Sequence, residues 1–463
     1  MTSTISKQPG RAVGVRRVAR GLVAAAAGFL AVTPVAAAGV TDGPQVFGVP
    51  IEFVLFGLTL LGVALFHHHT LRVALAGLSA IVLYKLVFTG FKFGTGIAGL
   101  VGHLQHEWVI LVNLFCLLMG FALLSRHFED SRLPEALPRF LPDDWKGGFL
   151  LLAMVFVLSS FLDNIAAALI GGAMAHTVFR GRVHIGYLAG IVAASNAGGS
   201  GSVVGDTTTT MMWIAGVSPL AVLHAFVAAV VALVVCGIPA ALQQQRHSPI
   251  TKDAPADLVL DWGRVGIVVF ILTAAIGVNV TINVAYPELA DHFPFIGVAV
   301  WTALLVGALA RRPAWEVLPE TLRGTIFLLA LVTSASLMPV EKLPVASWTT
   351  ALGLGFLSAV FDNIPLTALA LKQGGYDWGV LAYAVGFGGS MVWFGSSAGV
   401  ALTNRYTEAK SVTQWLRHGW HVAVAYAIGF FVMLWLVGWH PTDTRATGAQ
   451  ATGAPSRVSA PAH

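Results

Sequence analysis

Long apolar runs separated by short polar loops fill most of residues 47–438. Runs of about 17–25 apolar residues are what a helix needs to cross the hydrocarbon of a bilayer. The pattern predicts helices at Phe47–Phe66, Leu71–Phe88 and Trp108–Ser125. An apolar stretch, Gly147–Phe179, follows with the polar pair Asp163-Asn164 at its centre. Next come an interrupted stretch, His184–Val217, and a helix, Pro219–Leu242. After the polar residues Gln243–Asp261 the plan repeats, with helices at Val265–Ala285, Phe295–Ala310 and Gly324–Met338. A second polar-centred stretch, Ala346–Leu371, holds Asp362-Asn363; an interrupted stretch, Tyr376–Leu402, and a helix, His421–Val437, complete the pattern.

The interruptions have a physical signature. In Ser195–Thr210 four glycines, seven hydroxyl residues and Asp206 stand where hydrocarbon is expected. Each glycine weakens a helix by roughly 1 kcal/mol relative to alanine. Broken backbone at membrane depth is tolerated only where protein or a water-filled cavity surrounds it. The interruptions also come in pairs. Phe161-Leu-Asp-Asn-Ile165 parallels Val360-Phe-Asp-Asn-Ile364, and Gly198-Gly-Ser-x4-Gly205-Asp206-Thr207 parallels Gly388-Gly-Ser-x4-Gly395-Ser396-Ser397. Two motifs repeated in the same order indicate an internal duplication.

Composition agrees with a membrane protein: 56% of residues are hydrophobic and 11% charged, where a soluble chain carries about 25% charged residues. No short alternating segments of a β-barrel are present. The pI of 9.3 does not indicate nucleic acid, because the basic residues fall in short loops beside the spans. If each Asp-Asn stretch is a re-entrant hairpin, each half has five crossings and the second half is inverted. Sixteen Lys and Arg side chains then lie on the cytoplasmic side, from Arg72 to Arg417, against Lys92, Lys342 and Lys372 outside. That satisfies the positive-inside rule. The expected fold is therefore an all-α polytopic membrane protein of two inverted-topology repeats, each of five transmembrane helices plus one re-entrant helical hairpin.

The expected units are residues 1–41, a signal peptide or N-terminal membrane anchor; 42–242, the first repeat; 243–262, a cytoplasmic linker; 263–438, the second repeat; and 439–463, a disordered tail. Lys7, Arg11, Arg16, Arg17 and Arg20 precede an apolar run that ends at Ala36-Ala37-Ala38, a small-residue cleavage site. The expected location is the bacterial inner (plasma) membrane.

An Asp at the centre of a spanning helix costs roughly 2.5–3.5 kcal/mol on insertion scales, and Asp163, Asp206 and Asp362 are three. At a hairpin tip, helix ends expose backbone groups without intrahelical partners. Carboxylate, amide and hydroxyl oxygens there suit a hard monovalent cation, which competes with a proton for the same carboxylate. The candidate ion-binding residues are Asp163, Asn164, Asn196, Ser200, Asp206, Thr207, Thr208, Asp362, Asn363, Ser396 and Ser397, with Asp163, Asp206 and Asp362 as metal ligands. The expected function is secondary active exchange of Na+ (or Li+) for H+ by alternating access, with no enzymatic chemistry and no cofactor. The alternative is a proton- or sodium-coupled carrier of an anion such as citrate or arsenite. A non-transporting scaffold or a channel is a third reading, but a scaffold has no need of buried Asp pairs.

Other residues read as structural. His67-His68-His69 reads as a turn, Glu52 as interfacial, Lys85 as snorkelling outward and His224 as a satisfied core histidine. Cys116 and Cys236 read as small core hydrophobes. Trp108, Trp262 and Trp420 fit interfacial belts. Gly199–Asp206 lacks the Gly-Lys-Ser/Thr of a phosphate loop.

The Asp-Asn-Ile of 163–165, the Gly-Gly-x5-Gly-Asp-x-Thr-Thr beginning at Gly198, the Asp-Asn-Ile-Pro-Leu of 362–366 and the Gly-Gly-Ser-x4-Gly-Ser-x-Ala-Gly-Val beginning at Gly388 together resemble NhaD-type sodium/proton antiporters. Those belong to the ion transporter superfamily, which includes citrate and arsenite carriers. The likeness covers most of residues 47–438. It implies that Asp163, Asn164, Asp206, Thr207, Asp362, Asn363 and Ser396 belong to an ion site. It also implies a rocking or elevator-like cycle and a homodimer. Two departures touch that site: Ile165-Ala166-Ala167-Ala168 stands where the family pattern has hydroxyl residues, and Gly201-Ser202-Val203-Val204 replaces a Trp- and Pro-containing stretch.

Overall fold

A computed structural model describes residues 43–66, 69–136, 141–203, 205–250, 259–286, 289–290 and 292–442. The expected leader or anchor at 1–41, His67, His68, residues 251–258 of the expected linker and most of the tail lie outside the described residues.

Among the described residues the chain is helical apart from a hairpin of two-residue strands, β1 (Gln45–Val46) with β2 (Val49–Pro50). The first helices are α1 (Ile51–Leu65), α2 (Thr70–Tyr84, extended by a π-helical turn to Thr89) and α3 (Gly96–Asp130). The first broken elements follow: α4 (Trp145–Ser159), α5 (Asn164–Val178), α6 (Ile185–Ser200) and α7 (Thr207–Ile214). A short turn at Pro219–Leu223 leads into α8 (Ala225–His247). The second part has α9 (Trp262–Ala285), α10 (Phe295–Ala308) and α11 (Leu318–Ser336). It continues with α12 (Trp348–Ser358), α13 (Asn363–Gln373), α14 (Trp378–Gly388), α15 (Ser397–Arg405), α16 (Val412–His418) and α17 (Trp420–Leu436).

Local sequence sets many of the ends. Asp144 caps α4 by accepting from the Lys146 amide, and Ser347 and Thr350 form a reciprocal capping box on α12. Pro365 lies in the first turn of α13, where its missing N–H removes no intrahelical bond.

Two bodies pack against each other. α4, α6, α8, α14 and α17 pack together and carry α12 and the broken helices α5, α7, α13 and α15; α1, α2, α3, α9, α10 and α11 form the other body. They meet where α13 lies on α11 and α7 on α3. The first body has a fully enclosed centre: Gly186–Ser200 of α6 and Trp378–Gly388 of α14 are buried throughout. The second leaves Leu83, Val87, Phe270 and Val280 exposed on its surface, as lipid-facing helices do.

The crossing count departs from the sequence expectation. Five helices are long and apolar enough to cross a membrane: Thr70–Thr89, Gly96–Asp130, Pro219–His247, Trp262–Ile282 and Trp315–Ser336. A sixth is gained only if Val412–His418 and Trp420–Leu436, bent by 61°, count as one. The ten crossings of two inverted five-helix repeats are not there among the described residues. The apolar stretches exist, but α1 and α10 have 15 and 14 residues, short of the roughly 20 a spanning helix needs. The polar-centred and interrupted stretches give helices of 8 to 16 residues. What holds is an all-α, multi-pass membrane protein.

Three lesser expectations also change. Lys85 does not snorkel outward; it is buried, with its Nζ 5.7 Å from the centre of the Phe91 ring. Glu52 is buried rather than interfacial, lining the same cavity as Lys85. His224 is exposed, at the junction between the Pro219–Leu223 turn and α8, and is no core histidine.

Candidate functional site

The duplicated motifs fold alike. Asp163 and Asp362, the residues before α5 and α13, have the same backbone angles, φ −54° and ψ 140°. Asp206 and Ser396, before α7 and α15, have φ −141°, ψ 142° and φ −139°, ψ 153°. The supports repeat too. Ser159 Oγ donates to the Ser195 carbonyl at 2.6 Å, and Ser358 Oγ to the Val385 carbonyl at 2.7 Å. A Cβ on Gly198 would run into the Phe156 carbonyl, and one on Gly388 into the Gly355 carbonyl. Glycine therefore allows each helix before a break to approach its neighbour's backbone.

Each break turns a helix start inward, where amides lack intrahelical acceptors and carry a partial positive charge. Asp206 Oδ1 accepts from the Thr208 amide at 3.0 Å and Asp362 Oδ1 from the Ile364 amide at 3.0 Å. Ser396 Oγ accepts from the Gly399 amide at 3.2 Å. The helix starts are thus already supplied with protein oxygens, two of them carboxylate.

Side-chain bonds then join the pairs. Asn363 Nδ2 donates to Asp206 Oδ2 at 3.3 Å. Asn164 Nδ2 donates to Asn196 Oδ1 at 3.1 Å, and Asn196 Nδ2 to Ser390 Oγ at 2.9 Å and Ser396 Oγ at 3.1 Å. Ser397 Oγ donates to Asp362 Oδ2 at 3.1 Å. Asp163 and Asp206 line one cavity, and Asp362 lies behind Ser397, which lines it too. The carboxylates are thus neighbours, yet no group of three or more His, Cys, Asp or Glu side chains is placed to hold one metal ion among the described residues. Any ligand shell built here draws on Asn, Ser, Thr and backbone oxygens beside one or two carboxylates.

A cavity of about 560 Å³ ends on this network. Of the residues singled out in the sequence it exposes Asp163, Asn164, Asp206, Thr207, Asn363 and Ser397. Asn196, Ser200, Thr208, Asp362 and Ser396 do not line it. Asn196 and Ser396 are tied behind the wall, Asp362 is reached through Ser397, and Ser200 turns back to the Ala197 carbonyl at 2.8 Å. The outer wall comes from α3 and α11, with Arg126, Glu129, Glu320 and Thr321 towards one end. The Arg126–Glu129 pair is 2.8 Å apart.

Ser390 was missed in the sequence, although it matches Ser200 in the repeated Gly-Gly-Ser and so had a readable signal. Glu129 and Glu320 had none: their positions flank the expected spans, and only the packing of α3 against α11 brings them to one opening.

Comparison with known proteins supports the transport reading at a coarse level. No family model matches the chain. It is 28% identical over 321 residues to Sodium/proton antiporter 1 of Arabidopsis thaliana, covering 61% of this chain. That match spans 52% of the relative, so the chain covers about half the length of that protein. It is 26% identical over 355 residues to the Na(+)/H(+) antiporter NhaD of Vibrio parahaemolyticus, covering 65% of this chain and 84% of the relative. It is 27% identical over 391 residues to the Na(+)/H(+) antiporter NhaD of Alkalimonas amylolytica, covering 72% and 79%. These distant likenesses and the buried, hydrogen-bonded aspartates support a secondary active cation transporter of the broader ion transporter superfamily, a multi-pass membrane protein and not an enzyme.

Proposed function

We propose that this chain exchanges Na+ or Li+ for H+ across the bacterial inner membrane by alternating access. The observation that carries the reading is the cavity of about 560 Å³ that ends on Asp163, Asp206, Asn363 and Ser397 at the starts of broken helices. A carboxylate in such a place is costly as a bare charge. It is stabilised either by a proton or by a cation, and the two compete for one oxygen. Asn, Ser and Thr oxygens complete a shell that suits a hard cation.

The anion-carrier alternative is weakened by the same geometry. An anion binds at helix starts through free amides, and here Asp206, Asp362 and Ser396 occupy three of the four. The NhaD-like names of distant relatives favour the cation reading.

The cavity approaches the site from one end, and the far ends of α7 and α13 reach a separate cavity, so the structure suits a state open to one side. The open side is proposed as cytoplasmic. Arg126 at that end belongs to the sixteen Lys and Arg that the positive-inside rule assigns to the inside, and Lys92, Lys342 and Lys372, the three it leaves outside, gather around cavities at the opposite end. The test is proton movement in inside-out vesicles on adding NaCl or LiCl between pH 7 and 9. Asp206→Asn is expected to insert normally and to abolish the response. A fully active variant, or uptake of labelled citrate or arsenite without cation-driven proton flux, would overturn the reading.

A further inference from the structure

We infer that a cavity at the end of the molecule opposite Arg126 is a binding site for a phosphate-bearing anion, separate from the site of cation exchange. It has a volume of about 330 Å³. Lining it are Lys85 and Thr89 of the π-helical turn of α2, Lys92 before α3, Lys342 of the Val340–Lys342 turn and Lys372 near the end of α13. It adjoins the cavity of about 470 Å³ at the far ends of α7 and α13, sharing Lys92 and Lys372 with it. Lys92, Lys342 and Lys372 are the lysines that the loop-charge count leaves outside, where basic residues are few. That rule gives no reason for all three to meet on one wall, nor for a lysine from a spanning helix to join them.

The groups that call for a ligand are Lys85 and Thr89. A lysine near the end of a spanning helix ordinarily extends its ammonium to the interface. Here the Lys85 carbonyl accepts from the Gly90 amide at 2.7 Å, five residues on, a kind of turn frequent at functional sites. This wider turn buries Lys85 and Thr89 together. Lys85 is 9% exposed and lines the cavity. Its three N–H donors make no hydrogen bond or ion pair among the described residues, and the Phe91 ring lies 5.7 Å away. Thr89 Oγ1, on the same wall, is buried with no hydrogen-bond partner. An uncompensated buried ammonium is costly; an oxyanion in the cavity offsets that cost and accepts from both groups. Glu52 and Glu341 line the cavity too and oppose an anion, but the lysines outnumber them four to two. Donors arriving from four separate segments suit the several acceptor oxygens of a phosphate group better than a single-centred halide.

A phosphate group reaches such a cavity as a free ion or on an anionic lipid, and two arms separate the sources. In the first, delipidated full-length protein in detergent is dialysed against labelled potassium phosphate in sodium-free potassium chloride. In the second, native mass spectrometry counts the phosphatidylglycerol retained from mixed phosphatidylcholine–phosphatidylglycerol bilayers. The parent should bind a single phosphate group per chain, saturably, in at least one arm. Lys85→Gln and Lys92→Gln should each weaken that binding about tenfold or more, the loss expected for a charge-assisted hydrogen bond. Lys92 is exposed, so its variant folds whatever becomes of the buried one. Arg126→Gln, which removes a positive charge from the other end, should bind as the parent does. Binding in the dialysis arm identifies a free oxyanion, and binding in the lipid arm alone a headgroup. No saturable binding in either arm, binding that both lysine variants leave unchanged, or equal weakening by Arg126→Gln overturns the site. A parent that binds phosphate but moves no Na+ or Li+ would refute the exchange reading and leave this site standing.

Discussion

Asn196 has no surface in the cavity, yet its amide joins Asn164 to Ser390 and Ser396, four residues drawn from the first and second occurrences of the repeated motifs. Asn196→Ala strands those partners in a buried setting, at a cost of about 1–3 kcal/mol. Detergent-purified N196A should melt several degrees below the parent; an unchanged melting temperature would show that Asn196 does not hold the breaks together. This role was half legible in the sequence. The Gly-Gly-Ser repeat marked the segment, but only packing shows that Asn196 is a tie rather than a cavity ligand. Lys85, Glu52 and His224 were misread for a related reason. A run's hydropathy records its sequence neighbours and not which face of the helix turns inward, so Lys85 and Glu52 were assigned outward while they share a buried polar cavity.

At the scale of elements, the repeated motifs carried reliable information because they name backbone requirements. Glycine at 198 and 388 and Asp at 163 and 362 reappear as the same close approach and the same cap angles. Gly198→Ala and Gly388→Ala should each push neighbouring helices apart, an overpacking cost of about 1–3 kcal/mol. Both should lower folded yield and transport together, and wild-type behaviour in either would remove the need for contact at that crossing. The count of crossings was not legible, because it took every apolar run outside the two Asp-Asn hairpins as a crossing. α6 and α14 are apolar because protein encloses them, and a helix enclosed by protein need not match the bilayer's thickness.

The end of α9 has its own electrostatics. Arg311 donates to Asp261 Oδ2 at 3.1 Å, and this bond, with the amides of Arg264 and Gly263, holds the Asp261 carboxyl below its ordinary range. A carboxyl depressed on folding stabilises above its unfolded pKa of about 3.9 and loses that contribution as pH falls through the folded value. The stability gap between parent and Asp261→Asn should be flat from neutral to alkaline pH and close below about pH 4. A gap that opens on acidification would contradict the assignment.

For the whole molecule, the body of enclosed helices carries every broken element, and the surrounding body supplies the walls. The expectation of a site at the aspartates rests on intramembrane carboxylates being rare and costly. The two cavities were not legible in the sequence, since each is lined by residues distant along the chain, such as Glu107 with Lys372 and Leu118 with Asn363. Residues of α7 and α13 line both, the arrangement that the proposed exchange requires. The central claim is that a cation and a proton hold the same carboxylates in turn. Proton release from purified protein in weakly buffered solution measures it most directly. Adding NaCl or LiCl, but not choline chloride, should acidify the solution, and Asp206→Asn should suppress the signal. Sodium binding by the intact protein with no proton released, or a full signal from D206N, would contradict the account.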